Sequence, residues 1–199
     1  MKRGPKHKLC RRLGSCVWGN PKCPSARRPY SAGQHGNTRR RTKLSTFGEL
    51  LLEKQKLRAH YALTEKQLRF AYKKAKAGTG ATGEKLLRNL EMRLATVVFR
   101  SGLTPSIFAA KQAVVHRHVL VDGKIVDRGS YRLKPGQVVT LSAQRSPSLA
   151  TIAKSTDIVP PPYLEIDKEN CRVTVAREPL HEEIPANVEI MRVVEYYAR

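Results

Sequence analysis

The first acidic residue of this chain is Glu49. Ahead of it stand Lys2, Arg3, Lys6, Lys8, Arg11, Arg12, Lys22, Arg27, Arg28, Arg39, Arg40, Arg41 and Lys43, set among glycines and prolines with no sustained hydrophobic period. A stretch such as PKCPSARRPYSAGQHGNTRRR buries too little apolar surface to offset the entropy of ordering it. It cannot fold by itself. Residues 1–45 therefore read as an extended basic arm, ordered by RNA, by a metal, or by both. The remainder must supply the core, and a chain of 199 residues has room for one or two modest domains.

The charge also narrows the function. Lys and Arg number 38 against 16 Asp and Glu, a formal net charge of +22. A field this positive repels itself unless a polyanion is near. Only from Asp157 onward do acids outnumber basic residues. No apolar run is long enough to span a bilayer, and no signal-peptide pattern follows Met1-Lys2-Arg3. Arginine, whose planar fork grips phosphate in a bidentate way, outnumbers lysine eight to five over residues 1–45. Nucleic acid is the expected partner, with no membrane and no small-molecule substrate. With no secretory pattern, the chain is expected in a reducing compartment, where clustered cysteines hold metal more often than they form disulfides.

Beyond the arm the pattern becomes regular, and the fold class reads as α+β. Thr46-Phe-Gly-Glu49 resembles a capping box, followed by Leu50, Leu51, Leu57 and Tyr61 at helical spacing. Thr64-Glu-Lys-Gln67 repeats that box and opens a second helix. The glycines of KAGTGATG then form a flexible linker, and a third helix is expected from near Gly83 to Ser101-Gly102. These helices make a small helical domain over 46–92, completed by about 180–199. Pro105 sits where a helix likes to begin, and that helix ends near His116-Arg117-His118. Asp122-Gly123 between two apolar runs is a two-residue hairpin signal. Val138–Leu141 adds a strand, and two helices on a small sheet form an inserted α/β module. Tyr163–Ile166 and Cys171–Val175 alternate like further strands, so the module and its following segment cover 93–179.

Several polar and basic side chains of this module cluster around a helix end and a hairpin: Lys111, Gln112, His116, Arg117, His118, Lys124 and Arg132, with Arg88 and Arg93 flanking the preceding apolar stripe. Such side chains bind phosphates and 2′-hydroxyls across an RNA surface. Catalytic constellations are missing. There is no Walker loop, no Gly-x-Ser-x-Gly and no His-Glu-x-x-His. The chain is expected to be no enzyme.

Arg27-Arg-Pro-Tyr-Ser-Ala-Gly-Gln-His-Gly36, Glu53-Lys-Gln-Lys-Leu-Arg58, Thr82-Gly-Glu-Lys-Leu-Leu87, Leu90-Glu-Met-Arg-Leu94, Val119-Leu-Val-Asp-Gly123 and Val193-Val-Glu-Tyr-Tyr197 occur in this order along the chain. Together they resemble the bacterial-type ribosomal protein S-four family of the small subunit. The resemblance implies a primary ribosomal-RNA binder that nucleates assembly of the 5′ domain. It further implies protein S-five as a neighbour, messenger RNA at the channel through which it enters, an effect on decoding accuracy, and in some bacteria repression of the protein's own operon. The setting would be ribosome-bound, in a bacterial cytoplasm or a plastid. It also implies a C-terminal segment returning to the first helices. Carried residue by residue, RNA contact is expected at Arg27, Arg28, Gln34, His35, Arg39, Arg40, Arg41, Lys43, Lys54, Lys56 and Arg58. The chain departs from the family at Leu94-Ala95-Thr96-Val97, where Leu-Asp-Asn-Val is common, and at Ile107, where a cation is common. Pseudouridine synthases share the small module, but their Arg-Leu-Asp carboxylate is replaced here by Ala95.

Residues 6–23, KHKLCRRLGSCVWGNPKC, hold three of the four cysteines. The residues alone leave a metal clasp, a disulfide or idle thiols open. Some family members carry four arm cysteines that hold zinc, or an iron–sulfur cluster, and others have none. Aligned through Gly4-Pro5 and Arg27-Arg-Pro-Tyr30, that resemblance implies His7, Cys10, Cys16 and Cys23 as ligands, one imidazole and three thiolates suited to a structural zinc. Cys171 reads as an ordinary packed residue.

Overall fold

The computed structural model describes residues 6–18, 22–37, 44–142, 144–156 and 159–198. The helices in chain order are α1 (Lys6–Leu13), α2 (Pro24–Arg27), α3 (Thr46–His60), α4 (Glu65–Lys76), α5 (Thr82–Glu91), α6 (Leu94–Arg100), α7 (Ile107–Val115), α8 (Pro147–Ser155) and α9 (Ile190–Ala198). The strands are β1 (Val119–Val121), β2 (Lys124–Ile125), β3 (Val138–Leu141), β4 (Leu164–Asp167) and β5 (Arg172–Val175). Two compact units result, one of Met1–Leu63 with Val188–Arg199 and one of Thr64–Asn187.

In the first unit, Ser45 rather than Thr46 caps α3, its Oγ accepting the Gly48 N–H at 3.2 Å. Leu50 and Leu57, two turns apart on α3, are buried, as are Ile190 and Val193 of α9. Each such side chain contributes roughly 1.5–3 kcal/mol by leaving water. The two helices pack together. Glu53 accepts the Glu189 N–H at 3.1 Å, which satisfies a donor at the start of α9. Lys54 lays its ammonium over the Tyr196 ring at 4.4 Å, and Arg192 reaches Glu49 at 3.3 Å. The C-terminal segment therefore packs against the first long helix.

The arm contains more helix than its composition led us to expect. Cys10 and Leu13, one turn apart on α1, are buried. The following loop is held by Trp18, whose Nε1–H donates to the Ala59 carbonyl at 3.0 Å, and by His60 Nδ1, 3.1 Å from the Val17 carbonyl. Arg11 donates to the carbonyls of Tyr30 and Ser31 and stacks on the Tyr30 ring at 4.7 Å.

The second unit opens with the capping box read from the sequence. The Thr64 hydroxyl accepts the Gln67 N–H, and Gln67 Oε1 accepts the Thr64 N–H. The expected third helix is two, α5 and α6. Between them Arg93 bridges to Arg132, Leu133 donates its N–H to Met92, and Leu94 donates to Tyr131. Those cross-chain bonds compete with helix continuation and win, because they tie the break to the sheet's approach strand. Helix α7 is capped by Ser106, not begun by Pro105. Its buried face is Ile107, Ala110, Ala113 and Val114, which leaves Val115 outside.

The hairpin forms as expected. Asp122 and Gly123 have φ of 49° and 77°, the mirror-image turn that suits strand twist. All five strands join one antiparallel sheet in the order β2-β1-β3-β5-β4. Met92, Leu94, Leu103, Val119, Val139, Tyr163 and Val173 lie in its core, with Cys171 and Ala150. Helix α8, unread in the sequence, begins at Pro147 after Ser146 and buries Ala150 and Ala153.

Candidate metal clasp and nucleic-acid interface

Helix α1 and the residue before α2 build the clasp. His7 and Cys10 stand three residues apart, which puts both on one helical face. Cys23 precedes the α2 proline in an extended conformation and is brought to that face. Ligand atoms of His7, Cys10 and Cys23 all lie within 4.8 Å of one another. His7 Nδ1 is 3.3 Å from Cys23 Sγ. Tetrahedral zinc with bonds of about 2.0–2.3 Å separates its donors by roughly 3.5–3.8 Å, so the donor set fits in chemistry and span. Cys16 lies outside that trio but hydrogen-bonds Cys23. Three of the four expected ligands converge, and the fourth touches one of them.

The thiols are electrostatically unequal. Burial works upward on Cys23, yet hydrogen bonds from the Ser25 hydroxyl (3.1 Å) and backbone, from Cys16 and from His7 outweigh it and bring the thiol to about 6. Burial pushes Cys10 up to about 11, assisted by the neighbouring Cys23 sulfur and opposed by the Val17 backbone. A thiolate forms first at Cys23, which is the protonation state a metal ligand needs.

The expected RNA contacts separate into distinct environments. Arg27, Arg28, Gln34 and His35 are exposed around and after α2. Arg39, Arg40, Arg41 and Lys43 lie outside the described residues. Lys54 does not serve a surface. It is only 6% exposed, its ammonium spent on Tyr196, so it belongs to the α3–α9 interface. Lys56 pairs with Glu53 at 2.5 Å, and Arg58 is half-buried. In the second unit Arg88 and Arg132 converge on Glu178 at 3.2 and 3.5 Å. Burial lowers the Arg93 pKa from its ordinary value.

Around the end of α7, Gln112, His116, Arg117 and Lys124 are exposed, while Lys111 and His118 are half-buried. Arg117 adopts φ of 63° and pairs loosely with Asp127 at 3.6 Å. Arg145, which the sequence reading did not single out, donates to the Arg117 carbonyl at 3.3 Å and joins this cluster. Its position in an irregular loop gave no periodic signal. Ile107 is 2% exposed, so the departure from a cation there supplies core and not surface.

The position of the synthase carboxylate is occupied by Ala95, buried with its Cβ 3.3 Å from where a Cβ on Gly129 would stand. The nearby carboxylate, Glu91, is fully buried and committed. It accepts from Arg100 at 2.9 Å and from the Tyr163 hydroxyl at 3.2 Å. Burial, then the Glu91 charge, drives the Tyr163 phenol upward, so it donates to Glu91 at all ordinary pH.

A helix-and-hairpin module with a cationic rim is a known class, and the profile described as "S4 domain" matches residues 92–139. The profile described as "Ribosomal protein S4/S9 N-terminal domain" matches residues 1–91. The small ribosomal subunit protein uS4 of Bifidobacterium longum strain DJO10A is 44% identical over 198 residues, covering 96% of this chain and 95% of its own. That of Ruegeria pomeroyi is 45% identical over 200 residues, covering 98% and 96%. That of Beutenbergia cavernae is 46% identical over 192 residues, covering 91% and 92%. The chain belongs to the uS4 family of small ribosomal subunit proteins, a family of ribosomal components and not of enzymes.

Proposed function

We propose that this chain binds small-subunit ribosomal RNA directly and nucleates assembly of its 5′ domain. The observation that carries the reading is the exposed polar and basic rim of the S4 domain, Gln112, His116, Arg117 and Lys124; in the arm, Arg27 and Arg28 are exposed as well. Such a surface neutralises phosphates and recognises the shape of converging RNA helices instead of reading base edges. This work is divided among an arm over 1–45, a helical domain over 46–92 completed by about 180–199, and a module over 93–179, whereas the two compact units themselves divide between Leu63 and Thr64. The partners are the 5′ domain, neighbouring ribosomal proteins including protein S-five, and messenger RNA at its entering channel, with consequences for decoding accuracy. The same surface serves repression of the protein's own operon. The setting is ribosome-bound, in a bacterial cytoplasm or a plastid. Among the described residues no helix is long and apolar enough to cross a membrane.

His7, Cys10 and Cys23, completed by Cys16, would hold a structural zinc. Bound there, the ion cross-links an arm segment that has little core of its own. The convergent trio supports this reading, and an iron–sulfur cluster is the other group the thiols suit. Sedimentation of native protein with and without ribonuclease tests the function. Co-migration with small subunits, lost when the RNA is digested, is expected. A free pool in untreated lysate at all salt concentrations contradicts it.

A further inference from the structure

Helix α4 carries a surface that neither the arm nor the S4 domain accounts for. Phe70 is 71% exposed, more than Phe47, Tyr30 or Tyr131. A single exposed apolar side chain is ordinary. The surroundings of this one are not. The buried stripe of α4 is Leu68, Tyr72 and Ala75, and Phe70 points directly away from it. At 100° per residue, Lys66 and Lys74 lie about 40° to either side of Phe70 and Lys73 about 60° away. Arg69 lies about 100° from Phe70, on the side of the helix nearer Glu65. All four cations are exposed, and among the described residues none has an ion-pair partner. The acid of this helix, Glu65, lies about 140° from Phe70. By comparison Phe47, the next most exposed ring, is already covered by Tyr196 at 5.7 Å.

An aromatic ring at the centre of an unpaired cationic face suits one chemistry best. Phosphates approach the lysines, and an unpaired base stacks on the ring with no hydrogen-bond readout needed. A protein partner would need acidic side chains for those cations, whereas RNA brings anions and flat rings together. We infer that the outer face of α4, centred on Phe70 and flanked by Lys66, Lys73 and Lys74, binds an unpaired nucleotide of RNA by stacking. This rests on the reading that the chain binds ribosomal RNA.

The test uses full-length protein and a transcript of the small-subunit rRNA 5′ domain. Affinities of the native chain, Phe70→Tyr and Phe70→Leu are compared at one salt concentration. Stacking predicts that Phe70→Tyr stays within twofold and Phe70→Leu weakens by about tenfold. Because the site is exposed, both variants fold, which circular dichroism verifies. Leucine binding as tightly as phenylalanine, or tyrosine failing equally, overturns the stacking face while native binding upholds the broader reading. Failure of the native chain to bind overturns both. A photo-crosslinking side chain at position 70 that labels only protein in intact subunits also overturns the proposal.

Discussion

Cys23 is where the clasp is decided. It touches His7, Cys16 and Ser25, and its thiol is held near 6 while Cys10 is pushed to about 11. Removing Cys23 takes out the hub of the trio, whereas removing Cys16 leaves three donors in place. Purified native protein should contain about one equivalent of zinc by elemental analysis. Cys23→Ser should abolish it and Cys16→Ser should retain a weaker, chelator-sensitive fraction. Less than a tenth of an equivalent of zinc or iron in protein never exposed to chelator contradicts the clasp. Asp122 offers a second residue-level test. Hydrogen bonds from the Val138 N–H and the Gln137 amide, assisted by Lys124, lower its pKa below the ordinary carboxylate value. A lowered folded pKa means its stabilising contribution is complete above the unfolded value of about 4 and is lost as pH falls through the folded one. Asp122→Asn, which tolerates the same positive φ, should flatten the decline in Tm below about pH 4. An unchanged acid profile would remove Asp122 from that role. Glu91 belongs to a third kind of site: Glu91→Ala leaves the nearly buried Arg100 without its partner and should cost about 3–5 kcal/mol in denaturant unfolding.

Helices and strands show where sequence patterns suffice. The Thr64 box and the Asp122-Gly123 turn are local chemistry, a side chain meeting a backbone group a few residues away, so the sequence states them outright. Ser45 was displaced by one position because Thr46 offers the same hydroxyl, and only the backbone angle distinguishes them. Ser45→Ala should therefore cost about 1 kcal/mol of stability and Thr46→Ala much less. Equal losses would return the cap to Thr46. The break between α5 and α6 was illegible for a different reason. Its cause lies at Arg132 and Leu133, some forty residues downstream, and no periodicity in the helix itself reports it. Helix α1 was missed because its buried residues face a local site and not a continuous apolar stripe. At the candidate site, the His7-Cys10 spacing was visible, while Arg145 and the burial of Lys54 depended on tertiary neighbours.

Across the whole chain, charge was the most legible property and the one most directly tied to function. It placed a polyanion beside the protein before any element was assigned. Composition alone could not divide the cations into those that bind RNA and those that hold the fold together. Lys54 and Arg100 are held against Tyr196 and Glu91 and Arg177 pairs with Glu183 at the surface, whereas Arg117, only loosely paired with Asp127, and Lys124, with the neighbouring His116, are turned outward. The central claim is that the outward set, together with the arm, binds ribosomal RNA through its phosphates. The most direct measurement is the affinity of the full chain for the 5′-domain transcript between 50 and 200 mM salt. With about eight phosphates neutralised, affinity should fall roughly a thousandfold or more over that range. Affinity that stays constant across it would contradict the account.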